Sequence, residues 1–203
     1  MLQKVRHQRF LELLRPVEKI AQVYVKHLAW SRTDVEDIFQ TALLNAFRKF
    51  DAYEEGTNFK AWFFQFITYA AFNANRKHEK ISTHELLVES EDVEKLEHSN
   101  LNVPLDYKEP DHEKIVEDPD SVLANIEEEI RHAIRKLPVR RRSVFLLRAV
   151  ADLSYIEISQ VLNIPAGTVM GELYRARGQL RKDLDVYARR RGILKKEGDS
   201  NEM

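Results

Sequence analysis

The chain has 203 residues, 43% hydrophobic and 32% charged, which is enough for one domain or two small ones with modest cores. It contains no cysteine, excluding disulfides, thiolate metal sites and cysteine nucleophiles, and its six glycines and six prolines are few enough to favour an all-α protein. The net charge of −1 hides a segregation: residues 1–80 hold 13 Lys/Arg against 9 Asp/Glu, residues 85–120 hold 3 against 13, and residues 131–196 hold 16 against 5. A basic carboxyl-terminal third beside an acidic middle implies two modules, a tether and a polyanionic partner. The amino terminus MLQKVRHQRF lacks the apolar centre of a signal peptide, and no apolar run approaches the roughly 20 residues of a membrane helix. A cytoplasmic protein without membrane insertion is expected.

Helical periodicity runs from Val5 to Leu28 and is interrupted by Pro16. An interior proline costs a helix about 3 kcal/mol, so two helices meeting near Arg15-Pro16 are expected. Thr33 and Glu36 have capping-box spacing and open a helix over Asp34–Phe50. Its buried stripe is Val35, Ile38, Ala42, Leu43, Ala46, Phe47 and Phe50, and Asp37, Gln40, Thr41 and Leu44 point outward. Residues 51–58, DAYEEGTN, make a turn-rich loop around Gly56, and Asn58 caps a helix over Phe59–Lys80. That helix carries Phe59, Trp62, Phe63, Phe64, Phe66, Tyr69 and Phe72, more rings than one face can bury. Trp62 is assigned to the core. Aromatics beside Asn, Gln and Arg are the side chains that stack on and hydrogen-bond unpaired bases.

Glu85–Asp120 has little periodicity, three prolines and the acidic excess, the composition of a flexible linker, with one short helix near Val88–Leu96. His84, His98 and His112 are too scattered for a metal site, and no cofactor is expected. A helix from Ser121 to Leu137 stops ahead of Pro138, and a second, about Arg140–Val150, buries Val144, Leu147 and Val150. Tyr155–Lys182 then reads as two short helices joined at Asn163-Ile164-Pro165. Ser154 and Glu157 form a capping box, and Pro165, which has no N–H to donate, suits the second helix's opening turn. Val169, Leu173, Ala176 and Leu180 share one face, with Gly171, Tyr174, Arg175, Arg181 and Lys182 opposite. This is a helix-turn-helix arrangement, whose second helix enters a major groove; the bland alternative is a helical hairpin in any bundle. The last helix continues to about Arg190. There is no nucleophile elbow and no phosphate-binding glycine loop, so no enzyme is expected.

Two stretches together resemble a known family. VEDIFQTALLNAFRKFDAYEEGTNFKAWFFQFITYAAFNANRK resembles region 2 of the sigma-70 family of bacterial RNA polymerase initiation factors, and AIRKLPVRRRSVFLLRAVADLSYIEISQVLNIPAGTVMGELYRARGQLRKDL resembles region 4. Two regions with a short linker are the layout of the extracytoplasmic-function (ECF) group, and EGTNFKAW, GTVM and LDVYARRRG look most like its redox-responsive actinobacterial branch. The resemblance implies an all-α chain of two small helical domains: region 2 at 1–82, an acidic linker at 83–120, region 4 at 121–190 and a disordered tail at 191–203. It implies as partners core RNA polymerase, through its clamp coiled coil and flap, promoter DNA, and an anti-sigma factor clamped between the regions. Any redox sensing would then reside in such a partner, since the chain has no cysteine.

The resemblance also implies residue roles. Asp37, Gln40, Thr41 and Leu44 would dock on polymerase, with Thr41 standing where relatives have an acid. Tyr53 would capture a base flipped from the −10 strand, and Asn58, Gln65, Tyr69, Asn73, Arg76 and Lys77 would line the single-strand surface. Tyr69 replaces a frequent asparagine. For the −35 duplex the implied residues are Arg142, Thr168, Met170, Gly171, Glu172, Tyr174, Arg175, Arg177 and Arg181. Relatives carry a basic residue, a serine and an arginine where Met170, Gly171 and Glu172 stand here, which implies an atypical or weak −35 preference with specificity leaning on Tyr53 and the −10 strand. Glu172 would repel phosphate or accept from a cytosine amino group. The competing readings are a helix-turn-helix regulator acting without polymerase, and a sigma-like protein that titrates polymerase or an anti-sigma factor.

Overall fold

The computed structural model describes residues 2–82 and 128–190, with side chains from 4–76 and 128–190. Within the first stretch lie α1 (Leu2–Leu28), α2 (Val35–Arg48) and α3 (Phe59–Ser82), with short 3₁₀ turns at Arg32–Asp34 and Phe50–Ala52. Within the second lie α4 (Glu128–Lys136), α5 (Val139–Ala149), α6 (Tyr155–Leu162) and α7 (Ala166–Arg190). No strand occurs among the described residues, and no described helix is long and apolar enough to cross a membrane. The expected helix near Val88–Leu96, residues 121–127 of the helix expected from Ser121, and the tail lie outside the described residues.

Pro16 does not divide α1, contrary to expectation. The buried residues Phe10, Leu14, Val17, Ala21, Tyr24, Val25 and Leu28 keep an unbroken helical period past it, while Pro16 itself faces solvent. A proline on the solvent side gives up one hydrogen bond that water can replace, and the buried stripe outweighs that loss. The expected Thr33–Glu36 capping box does not form either. The Ser31 hydroxyl accepts from the Thr33 amide and starts the 3₁₀ turn, α2 begins at Val35 with no side-chain cap, and Glu36 accepts from Gln40 at 3.1 Å.

The rings of α3 fill the first core. Phe59, Trp62, Phe63, Phe64 and Phe66 are buried, and Phe10 of α1 meets Phe47, Phe50 and Phe59 edge-on at 5.3, 5.2 and 5.9 Å. Asn75 ties α3 to the α1–α2 connection, donating to the Leu28 carbonyl at 3.1 Å and accepting from the Trp30 amide at 2.8 Å. In the second stretch the Ser154–Glu157 capping box forms as expected, Asn163 turns the chain at φ 51°, and Val169, Leu173, Ala176 and Leu180 are buried.

The two helical units also pack on each other. α1 lies against α4 and α5, and α3 lies against α6. The Tyr24 hydroxyl, fully buried, hydrogen-bonds Thr68 of α3 at 2.9 Å and reaches Ser143 of α5. Burial pushes its acidity far out of the physiological range.

Candidate nucleic-acid interface

The loop after α2 is held by α1. Arg6 pairs with Asp51 at 2.8 Å, donates to the Phe47 carbonyl at 2.7 Å and lies over the Phe47 ring, and Arg9 pairs with Glu55 at 3.5 Å. This fixes Tyr53, which is half-buried. It stacks on Phe50 at 5.8 Å, meets Phe59 and Trp62 at 5.4 and 5.3 Å, and donates to the Thr57 carbonyl at 2.7 Å. Burial raises its phenol pKa. Tyr53 therefore forms the wall of an aromatic cluster, with Trp62 buried behind it as expected.

The rest of the α3 stripe divides along the helix. Asn58 caps α3 by accepting from the Ala61 amide at 3.3 Å, and its amide nitrogen donates to Glu157 of α6. Gln65 is only 2% exposed, Tyr69 and Arg76 are half-buried, and Asn73 is exposed. The side chain of Lys77 lies outside the described residues. Gln65 is thus buried and Asn58 half-buried and engaged by Glu157, whereas both were expected on the single-strand surface. For Asn58 the cause is the packing of α3 on α6, which helical spacing does not reveal.

The α2 residues behave differently. Asp37, Gln40, Thr41 and Leu44 are all exposed, at positions i, i+3, i+4 and i+7 of one face, with Leu44 56% exposed. An exposed leucine framed by polar side chains is the composition of a docking stripe for another protein.

On α7 the outward residues Met170, Tyr174, Arg175, Arg177 and Arg181 are exposed, Tyr174 at 81%, and Thr168 is half-buried in the opening turn. Two members of the expected set are not available. Arg142 is 4% exposed, because α5 starts at Val139 and turns this position toward α1, where it acts on the Tyr24 hydroxyl. Glu172 is engaged on both carboxylate oxygens, by Arg141 at 2.9 Å and by Arg175 at 2.8 Å. Arg141 also donates to Gln179 at 3.2 Å. Gly171 leaves room beside this cluster, since an added Cβ would meet only the Arg175 guanidinium, at 3.8 Å.

Sequence reasoning missed Lys60 and Gln179, and it read Arg141 only as one of three arginines (Arg140, Arg141 and Arg142) where the resemblance implies a phosphate contact. Lys60 is half-buried in the first turn of α3 and feels Glu157 and Asp152, while burial lowers its pKa. No local signal marks these residues, whose partners lie on distant helices. Together the described surfaces offer a polar and apolar stripe for a protein, an aromatic-walled edge for unstacked bases, and a basic helix face for a duplex.

Comparison with known proteins finds two family matches in chain order: residues 10–81 match Sigma-70 region 2, and residues 127–180 match Sigma-70, region 4. The ECF RNA polymerase sigma factor SigW of Bacillus subtilis (strain 168) is 30% identical over 151 residues, covering 74% of this chain and 75% of that protein. The ECF RNA polymerase sigma-E factor of Escherichia coli (strain K12) is 26% identical over 184 residues, covering 89% and 88%. Among solved structures, the sigma factor RpoE in complex with the anti-sigma factor NepR from Bartonella quintana aligns with a TM-score of 0.60 at 21% identity, over 89% of this chain and 96% of that one. CnrH in complex with the cytosolic domain of CnrY aligns with a TM-score of 0.57 at 18% identity, over 89% and 90%. At those identities the two structures establish a shared fold.

Proposed function

The chain belongs to the sigma-70 family of RNA polymerase sigma factors, in its ECF group, and from that premise we propose how its surfaces divide the work. As an ECF sigma factor it binds core RNA polymerase and directs promoter recognition and transcription initiation, and it is not an enzyme. The proposal assigns residues. Residues 1–82 form region 2 and residues 121–190 region 4, with the acidic segment 83–120 between them.

The α2 stripe of Asp37, Gln40, Thr41 and Leu44 docks on polymerase. The observation that carries this is the exposure of all four on one face, with the apolar Leu44 at its end. Tyr53, Asn58, Gln65, Tyr69, Asn73, Arg76 and Lys77 make the −10 strand surface, Tyr53 as the back wall on which a flipped base stacks. Thr168, Met170, Tyr174, Arg175, Arg177 and Arg181 meet the −35 duplex, where arginine–phosphate contacts supply most of the affinity. An anti-sigma factor is a further partner, by analogy with the complexes of RpoE and CnrH. The stretches EGTNFKAW, GTVM and LDVYARRRG support placement in the redox-responsive branch, with the sensor in the partner because this chain has no cysteine.

Leu44→Asp tests the docking assignment. It places a charge where an apolar side chain would be buried and should abolish binding to core polymerase while leaving the thermal transition in place. Binding unchanged from wild type would remove α2 from the polymerase interface.

A further inference from the structure

One exposed stripe of α7 is half apolar. Met170, Tyr174, Arg177 and Arg181 recur at i, i+4, i+7 and i+11, so they share one side of the helix, and all four are exposed. Met170 is 50% exposed and Tyr174 81%, too open for either to serve the core. The acid beside them is not free to read a base, because both oxygens of Glu172 are taken, by Arg141 and by Arg175. Gly167 and Gly171 flank Met170 and bring no side chain that would hold α7 away from a partner. An added Cβ would meet nothing within 4 Å at Gly167 and only the Arg175 guanidinium at Gly171.

The chemistry of the stripe selects its occupant. Its far end, Arg177 and Arg181, is cationic and suits the phosphates of a duplex. Its near end, Met170, lies in the second turn of α7, within the part of such a helix that reaches base edges. A thioether has no proton to donate and accepts only weakly, so it cannot select a base by hydrogen bonding. The apolar group that a base edge offers in the major groove is the C5 methyl of thymine. We propose that Met170 is a specificity-determining residue that packs on a thymine methyl of the −35 duplex, with the Tyr174 ring enclosing the contact from the next turn. The element then requires T·A at a place where an arginine would select G·C. This rests on the reading above that the outer face of α7 meets that duplex.

The test combines the full chain with core polymerase on promoter duplexes defined by mapping transcript starts, each −35 thymine being replaced in turn by deoxyuridine. This exchange removes only the methyl and leaves base pairing intact. At one position binding should weaken about fourfold, the loss expected for one buried methyl. Met170→Ala should bind thymine and deoxyuridine alike at that position, and Met170→Leu, which keeps an apolar side chain, should retain the difference. Met170→Arg should turn the preference there toward G·C. Indifference to deoxyuridine at every −35 thymine, an element without thymine, or an equal loss in Met170→Ala overturns the assignment of Met170 while leaving duplex recognition by α7 in place. Binding unaffected by scrambling the whole −35 element contradicts the functional reading beneath it.

Discussion

Arg141 of α5 donates to Glu172 of α7 at 2.9 Å, across 31 residues of sequence, while Arg175 takes the other oxygen of the same carboxylate at 2.8 Å. The Glu172 side chain is only 14% exposed. An acid at a groove-facing position would be puzzling in a DNA-binding helix, because it repels phosphate. Here it works inward, tying α7 to α5 through Arg141 and engaging the guanidinium of Arg175, which itself stays exposed. We propose that Glu172, held by these two arginines, sets how much positive charge α7 presents to a duplex rather than contacting a base.

Glu172→Ala should therefore do two things at once. Loss of two charge-assisted bonds at a partly exposed site should lower stability by about 1–2 kcal/mol, seen as a lower Tm. Release of Arg141 and Arg175 should strengthen duplex binding at low salt and steepen its salt dependence by about one to two phosphate contacts. An unchanged salt slope with relaxed preference at one base pair would instead show that Glu172 reads a base.

Gly171 is a separate matter. It lies in the interior of α7 and has room for a Cβ, so Gly171→Ala should gain about 1 kcal/mol of helix propensity. In a chain of this size that raises Tm by roughly 2–4 °C. A lower Tm would mean that the glycine is needed for a close approach that the structure does not contain.

His27 gives a pH prediction. It is buried beside Lys26 and near Arg131 and Arg135 of α4, and desolvation first, then those cations, hold its pKa at about 4 against an ordinary 6.5. Because the folded state binds the proton less well than the unfolded state, this contribution is complete above the unfolded pKa and is lost as pH falls from 6.5 toward 4. By pH 5 it should amount to about 2 kcal/mol relative to pH 7. Urea unfolding at both pH values should show that loss in wild type, and His27→Gln should remove that part of it. The same pH dependence in both proteins would place the titration elsewhere.

Much of this architecture is legible in local spacing. The Ser154–Glu157 box, the turn at Asn163 and the buried row Val169, Leu173, Ala176 and Leu180 follow from i, i+3 and i, i+4 relationships that hold whatever surrounds them. The α2 stripe emerges for the same reason. What spacing cannot give is the partner of a side chain on a distant helix. Asn58 meets Glu157 across 99 residues and Arg141 meets Glu172 across 31, so a covered amide and a satisfied acid both read as open surface. Pro16 is instructive in the other direction. Its intrinsic cost was visible, but not that it sits on the solvent side of a helix whose other face is buried without interruption. Arg142 shows the converse: three arginines in a row look alike until the helix phase selects which one turns inward.

The central claim, that this chain acts by bringing core polymerase to a promoter, is tested most directly by run-off transcription from a template defined by sequencing transcript starts after overexpression. Core polymerase alone should give no product. Adding the protein should give one discrete transcript, which disappears with Leu44→Asp. Promoter binding without polymerase dependence, or polymerase binding with no open complex and no transcript, would contradict the account.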